Sequence, residues 1–161
     1  MVVPRSVWWL PRPKKSKFKG GVPLHFEKKL MNLLGNPEMI LQPFGGDGEY
    51  GLKVDISRNY CPDVIADAHN LPFRDNSFDL VLLDPPYSNQ YAHTLYGTGE
   101  LHFTKYTSEA VRVAKPNGFI VVYHYYLSPR LCRTSWYHLL VIVTRIFHKA
   151  RIVSIFRKEM T

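Results

Sequence analysis

The stretch Phe78-Asp79-Leu80-Val81-Leu82-Leu83-Asp84-Pro85-Pro86-Tyr87 limits the fold of this chain more than any other. Leu80 to Leu83 are apolar without alternation, so a strand built from them needs a dry layer on both faces. Two prolines then end the run, because a ring nitrogen has no hydrogen to give to a ladder. Strands of this kind belong to parallel sheets covered by helices on both sides.

The rest of the sequence fits that architecture. Pro23–Leu34 reads as a helix, with Pro23 in its first turn, Phe26, Leu30, Leu33 and Leu34 on one face, and Gly35-Asn36-Pro37 as its stop. Strands are predicted over Glu38–Phe44, Leu52–Ile56, Asp63–Ala68, Phe78–Leu83 and Phe119–Tyr126. A loop rich in aromatics, Ser88–Phe103, leads into a helix over Thr104–Ala114 that Lys115-Pro116-Asn117-Gly118 terminates. Leu139–Ile146 and Ala150–Phe156 flank Phe147-His148-Lys149 as a closing antiparallel hairpin. The expected fold is α/β: a Rossmann-like, open, mostly parallel twisted sheet with a C-terminal antiparallel hairpin. Only Gly45 to Gly51 separate the first two predicted strands. A parallel crossover takes a dozen or more residues, so the helix complement after the first strand is reduced. The sheet there is either thinly covered or covered by the N-terminal segment.

With 161 residues the chain is expected to form one compact domain over 21–161, preceded by a basic arm over 1–20. Prolines 4, 11 and 13 oppose helix in the arm, which carries Arg5, Arg12, Lys14, Lys15, Lys17 and Lys19 beside Trp8, Trp9 and Phe18. Such an arm either tracks a phosphate backbone and stacks on bases or lays its tryptophans over an apolar surface. The net charge of +8 favours a polyanionic partner. No apolar run reaches the ~20 residues that span a bilayer, and the first ten residues lack the features of a signal peptide. Cys61 and Cys132 show no ligand spacing, so no metal site is expected, and isolated thiols suit a reducing, cytoplasmic setting without a membrane.

Open α/β sheets hold ligands at the carboxyl ends of their strands, and four features fall there. Pro43-Phe44-Gly45-Gly46-Asp47-Gly48 is a turn whose glycines admit a ligand close to the backbone. Asp55, with Ile56 after it, ends the next strand with a carboxylate able to accept from ribose hydroxyls. Asp67-Ala68-His69-Asn70 follows the third strand, in position for an adenine ring. Asp84-Pro85-Pro86-Tyr87 combines an acid and proline-fixed carbonyls, which can hold two N–H bonds of an amine, with an aromatic face for stacking.

On these residues the chain resembles class I S-adenosylmethionine-dependent methyltransferases, and among them the amino-methyltransferases that carry (D/N)PP(Y/F). The best known methylate adenine N6 or cytosine N4 of DNA. Leu41–Gly48 is similar to their glycine-rich cofactor motif, and His25–Leu30, with Phe26, to the segment that helps cradle the methionine moiety. Gln42 stands where the family carries an acidic residue, which leaves Asp47 or Asp84 to face the methionine ammonium. The resemblance implies S-adenosylmethionine as cofactor, held by Phe26, Gln42–Gly48, Asp55, Ile56, Asp67 and Ala68. It also implies catalysis by Asp84, Pro85, Pro86 and Tyr87 on an exocyclic amine of a nucleic-acid base, with DNA favoured over RNA. Tyr91, Tyr96, His102 and Phe103 would clasp the strand or serve as loop packing. The chain has no separate target-recognition domain in view, so a protein partner or a homodimer would supply recognition. The alternatives are guanine-N2 methylation of RNA, protein glutamine methylation and, in another class, a non-catalytic nucleic-acid-binding module on a decayed methyltransferase fold.

Overall fold

The computed structural model describes residues 2–13, 21–46, 48–87, 100–146 and 148–160. Phe78–Leu83 forms β5, with the bounds its apolar run predicts. Its side chains alternate between two cores. Val81 and Leu83 face one layer with Tyr106, Ala110 and Val113, while Leu80 and Leu82 face another with Phe26, Leu30 and Met31. Those two sets come from α2 (Phe103–Val113) and α1 (Phe26–Leu33), one helix on each side of the sheet.

The remaining strands are β1 (Arg5–Trp9), β2 (Ile40–Gln42), β3 (Leu52–Asp55), β4 (Val64–Ile65), β6 (Ala114–His124), β7 (Thr134–Val143) and β8 (Arg151–Lys158). The eight strands lie in the order β1-β7-β8-β6-β5-β2-β3-β4. Every neighbouring pair is parallel except β6–β8 and β7–β8, so β8 alone runs against the rest. The chain fills one side of the sheet with β2, β3 and β4, then returns to place β5 and β6 on the other. The order therefore reverses between β2 and β5, and a crevice opens at their carboxyl ends. The mostly parallel α/β fold and its terminal antiparallel hairpin are as the sequence predicts.

The differences are local. Residues 5–9 of the basic arm are a strand, pairing in parallel from Arg5↔Leu139 to Trp9↔Val143 at the sheet edge. An edge strand uses its backbone on one side only, so prolines just outside it do no harm. Trp8 packs against the core that holds Phe26, and Leu10 is buried. Lys14, Lys15, Lys17, Phe18 and Lys19 lie outside the described residues. Lys115-Pro116-Asn117-Gly118 is not a loop between helix and strand but a bulge inside β6, where the register jumps from Phe78↔Ala114 to Leu80↔Phe119. Lys115 anchors the bulge on Asp79 at 2.7 Å. β7 begins five residues ahead of its predicted start, and β4 is a two-residue strand whose Ile65 is 51% exposed. The sheet is thinly covered at that end.

Between β2 and β3 the described residues hold turns and no helix. The short link needs Gly51: its φ is +72°, and a Cβ there would run into the Ile40 carbonyl. Gly51→Ala is expected to lower stability by about 1–3 kcal/mol through forced overpacking and roughly 1–2 kcal/mol more through the left-handed backbone. Urea unfolding measures the sum.

Candidate active site

Because β2 and β5 pair in parallel at Ile40↔Leu80 and Leu41↔Val81, residues 43–46 and 84–87 leave the sheet side by side. β3 and β4 deliver Asp55 and the loop that holds Asp67 and Ala68 to the same edge.

Gln42 is the hub of the cofactor-motif half. It is buried, and its Nε2 donates to Glu27 Oε1 at 2.6 Å and to the Tyr50 carbonyl at 2.8 Å. Glu27 Oε2 accepts from the Glu49 backbone N–H at 2.8 Å. Burial raises the Glu27 carboxyl above its ordinary value against these hydrogen bonds, with Glu49 adding repulsion. The Gln42 amide occupies the space that a Cβ at position 48 would fill, so only glycine lets the turn close over it. Gly48 donates its N–H to the Gly45 carbonyl at 2.8 Å, and Gly45 to the Val54 carbonyl at 3.1 Å, which ties the turn to β3. Pro43 is buried beneath it, and the Phe44 ring meets Tyr106 edge-on at 5.4 Å. Gly46 is half-buried in the same turn, while Asp47 lies outside the described residues.

Phe26 has no exposed surface; its ring contacts Tyr123 at 5.1 Å and Trp8 at 6.4 Å. Asp55 Oδ1 accepts from the Ser57 N–H at 2.8 Å, and burial raises its carboxyl above the usual value. Ile56 beside it is 49% exposed. Partial burial pushes Asp67 upward, but the His69 backbone and imidazole, bonded at 2.9 and 2.6 Å, hold it below its ordinary value. His69 Nε2 accepts from the His102 N–H at 3.0 Å, so its proton sits on Nδ1, facing Asp67. This relay fastens the loop after β4, with buried Ala68, to the start of α2. Phe103 packs on Tyr106 at 5.5 Å, as loop packing; Tyr91 and Tyr96 are outside the described residues.

In the tetrapeptide, the Asp84 carboxyl is pushed up to about 8, chiefly by desolvation, against the pull of Arg151 and with added repulsion from Glu27. Neither Asp84 nor the Pro85 carbonyl makes a hydrogen bond among the described residues. Pro85 is buried and Pro86 half-buried. The Tyr87 ring lies 4.2 Å from Tyr125 and 5.5 Å from His124, and its hydroxyl accepts from Arg151 Nε at 3.2 Å. The Arg151 guanidinium also sits 3.9 Å above the Tyr125 ring.

The sequence reading missed two residues here. Arg151 opens β8, and only the antiparallel course of that strand brings its first residue to the edge where the parallel strands end. Glu27 was in view within His25–Leu30, but no sequence signal pairs it with Gln42. Glu27 puts a carboxyl from α1 against Gln42 at the head of the glycine motif, where the sequence pointed to Asp47 or Asp84.

With this geometry in hand, comparison with known proteins becomes specific. Residues 48–122, somewhat under half of the chain, match the model of a family described as a methyltransferase domain. The match takes in β3 to β6 and the tetrapeptide. The whole fold is similar to TrmN from Thermus thermophilus, with TM-score 0.60 and 15% identity over 87% of this chain and 50% of that one. It is also similar to the 1,6-didemethyltoxoflavin-N1-methyltransferase of Burkholderia thailandensis, solved with its acceptor and S-adenosylhomocysteine, with TM-score 0.59 and 12% identity over 83% and 76%. A third is the methyltransferase complexed with the Haloferax volcanii Trm112 activator, with TM-score 0.57 and 12% identity over 82% and 89%. No curated protein sequence matches the chain. The fold is that of the S-adenosylmethionine-dependent methyltransferases, whose cofactor is S-adenosylmethionine. The chain spans half the length of TrmN.

Asp84 gives a direct test of the site's electrostatics. Between pH 3.8 and about 8 the folded chain keeps a proton that the unfolded chain has released. Its contribution to stability is therefore full at low pH and lost as pH rises through that window. Asp84→Asn removes the loss, so the variant is expected to gain on the wild type between pH 5 and pH 8 in paired urea titrations.

Proposed function

We propose that this protein is an S-adenosylmethionine-dependent amino-methyltransferase that acts on an exocyclic amine of a nucleic-acid base. The observation that carries this reading is Asp84: a desolvated carboxyl beside the Pro85 carbonyl, both without a hydrogen-bond partner among the described residues, at the end of the central strand. Two acceptors on adjacent residues fit the two N–H bonds of one amine.

The cofactor fits the other half of the edge. Glu27, held by Gln42, offers negative charge for the methionine ammonium, Gly48 leaves room that a side chain would take, and Asp55 offers a carboxylate for ribose hydroxyls. Asp67 and Ala68 flank the remaining space at the exit of β4. S-adenosylmethionine supplies a methyl group on a positively charged sulfur.

The chain's own residues do the rest. An aromatic amine is a weak nucleophile because its lone pair is delocalised into the ring. Accepting its hydrogens at Asp84 and Pro85 draws the nitrogen towards tetrahedral geometry and frees the lone pair. Orientation of this kind is worth up to ~7–11 kcal/mol in model reactions. The Asp84 carboxylate also stabilises positive charge growing on the nitrogen. Asp84 must be ionised to stabilise that charge, and positive charge entering its pocket favours that form. The edge of Tyr87, braced by Tyr125 and Arg151, receives the base. A flipped or single-stranded base suits such a pocket.

Incubation of DNA and RNA with methyl-labelled S-adenosylmethionine, followed by nucleoside mass spectrometry, is expected to reveal an N-methylated base. Label found only in protein, or nowhere, overturns the reading. Asp84→Ala is expected to lower kcat by about 10²–10³-fold, the loss typical of one oriented polar group, with cofactor affinity largely kept. In the wild type, kcat/KM is expected to rise with pH towards a plateau above about 8, and Asp84→Asn to flatten that limb.

A further inference from the structure

The N-terminal segment leaves β1 at the same edge as the active site, since Trp9 pairs with Val143 at the end of β7. Just beyond β1 the Pro11 carbonyl accepts from the Leu24 N–H at 3.2 Å. Between this segment and the β7–β8 turn lies a cavity of about 230 Å³. Arg12 enters it from one side, Arg145, His148 and Lys149 from the other, and Arg151 and Tyr123 form its inner wall.

The charge there is one-sided. Arg12, Arg145, Lys149 and Arg151 form no ion pair among the described residues, although Arg112 and Lys115 elsewhere are each matched to carboxylates. The His148 imidazole is held below its ordinary value by desolvation and by the Arg145, Arg151 and Arg12 guanidiniums that face it. The one carboxyl on which Arg151 is seen to act among the described residues is Asp84, across the tetrapeptide. Cations gathered in a cleft without counter-charges repel one another, a cost that a bound anion offsets.

The cavity shares Arg151 with the acceptor side of the site. Arg151 lines it and also donates to the Tyr87 hydroxyl, and Lys149 lies 5.6 Å from the Tyr125 ring. In sheet order the glycine turn and Asp55 lie on the β2–β3–β4 side of Asp84, and the cavity lies on the β6–β8–β7 side. That order puts the cavity on the acceptor side of Asp84.

We infer that this cleft is a phosphate-binding subsite for the acceptor strand: the phosphodiester next to the target base docks among Arg12, Arg145, His148 and Lys149, with Arg151 bridging phosphate and base pocket. This rests on the proposed nucleic-acid acceptor and names how that acceptor is held. Aromatic faces beside a basic groove suit single-stranded nucleic acid.

The double variant Arg145→Gln/Lys149→Gln tests it, since both side chains are exposed on the hairpin turn and outside either core. The probe is a fluorescein-labelled single-stranded oligonucleotide, in DNA and RNA form, followed by anisotropy across a salt series. The wild type is expected to bind with a steep salt dependence. The double variant is expected to bind at least tenfold more weakly, and its log–log salt slope to fall by about 1.4, or ~0.7 for each lost phosphate contact. Arg145→Lys/Lys149→Arg is expected to restore binding, and calorimetric affinity for S-adenosylmethionine to be unchanged throughout. Equal oligonucleotide binding by the wild type and the Gln variant, or no binding by either, overturns the inference. So does a parallel loss of cofactor affinity, which would assign the cleft to the methionine carboxylate. Charge-dependent binding of an oligonucleotide that is never methylated would leave the subsite standing and overturn the proposed reaction.

Discussion

Burial of β5 on both faces fixes the position of everything else. Leu80, Val81 and Leu83 have no exposed surface, and their side chains belong by turns to the core under α1 and the core under α2. The strand is hydrogen-bonded to β2 on one side and β6 on the other. A segment held on four sides cannot slip by one residue without exchanging the two apolar sets. The residue at which it leaves the sheet is therefore fixed, and two prolines ensure that it does leave there. Asp84 inherits its place from Leu80–Leu83.

That inheritance has an electrostatic consequence. A carboxyl at the end of a dry strand loses hydration, and the Arg151 guanidinium does not make up the loss, so Asp84 stays protonated to about pH 8. Glu27, a second carboxyl raised by burial, adds to the imbalance. The centre of the edge thus favours incoming positive charge. Further along, over β6, β8 and β7, the side chains are cations with no ion pair among the described residues, and the preference is for negative charge. One crevice carries two opposite preferences, separated by the tetrapeptide. The sheet order, which reverses between β2 and β5, is what separates them.

Features set by neighbours in sequence were legible; those set by neighbours in space were not. The bounds of β5 were plain because an unbroken apolar run and a proline pair are both local signals. The fold class followed from alternating strand and helix patterns. β1 was hidden because its residues, Arg5-Ser6-Val7-Trp8-Trp9, become a strand only when β7 offers a free edge. The bulge at Lys115–Gly118 was hidden because Pro-Asn-Gly ordinarily ends an element, whereas here Asn117, at φ +63°, bends a strand that resumes its pairing. Arg151 reads as a solvated charge at the start of a hairpin strand until β8 is seen to lie between β6 and β7. Glu27 reads as an ordinary first-turn helix acid, although it is only 5% exposed.

Gln42 then looks different from a worn-out motif. An acid at that position would lie against Glu27, whose Oε1 is 2.6 Å from the Gln42 amide nitrogen. Two carboxylates at that separation cannot both ionise. An amide removes the conflict: its N–H groups satisfy Glu27 and the Tyr50 carbonyl together. Random loss of an acid from a strand end would leave no reason for a buried glutamate on the facing helix, where an uncompensated charge is costly. The pair Glu27–Gln42 thus puts one carboxyl at the head of the glycine turn, carried by α1 and held there by the amide on β2.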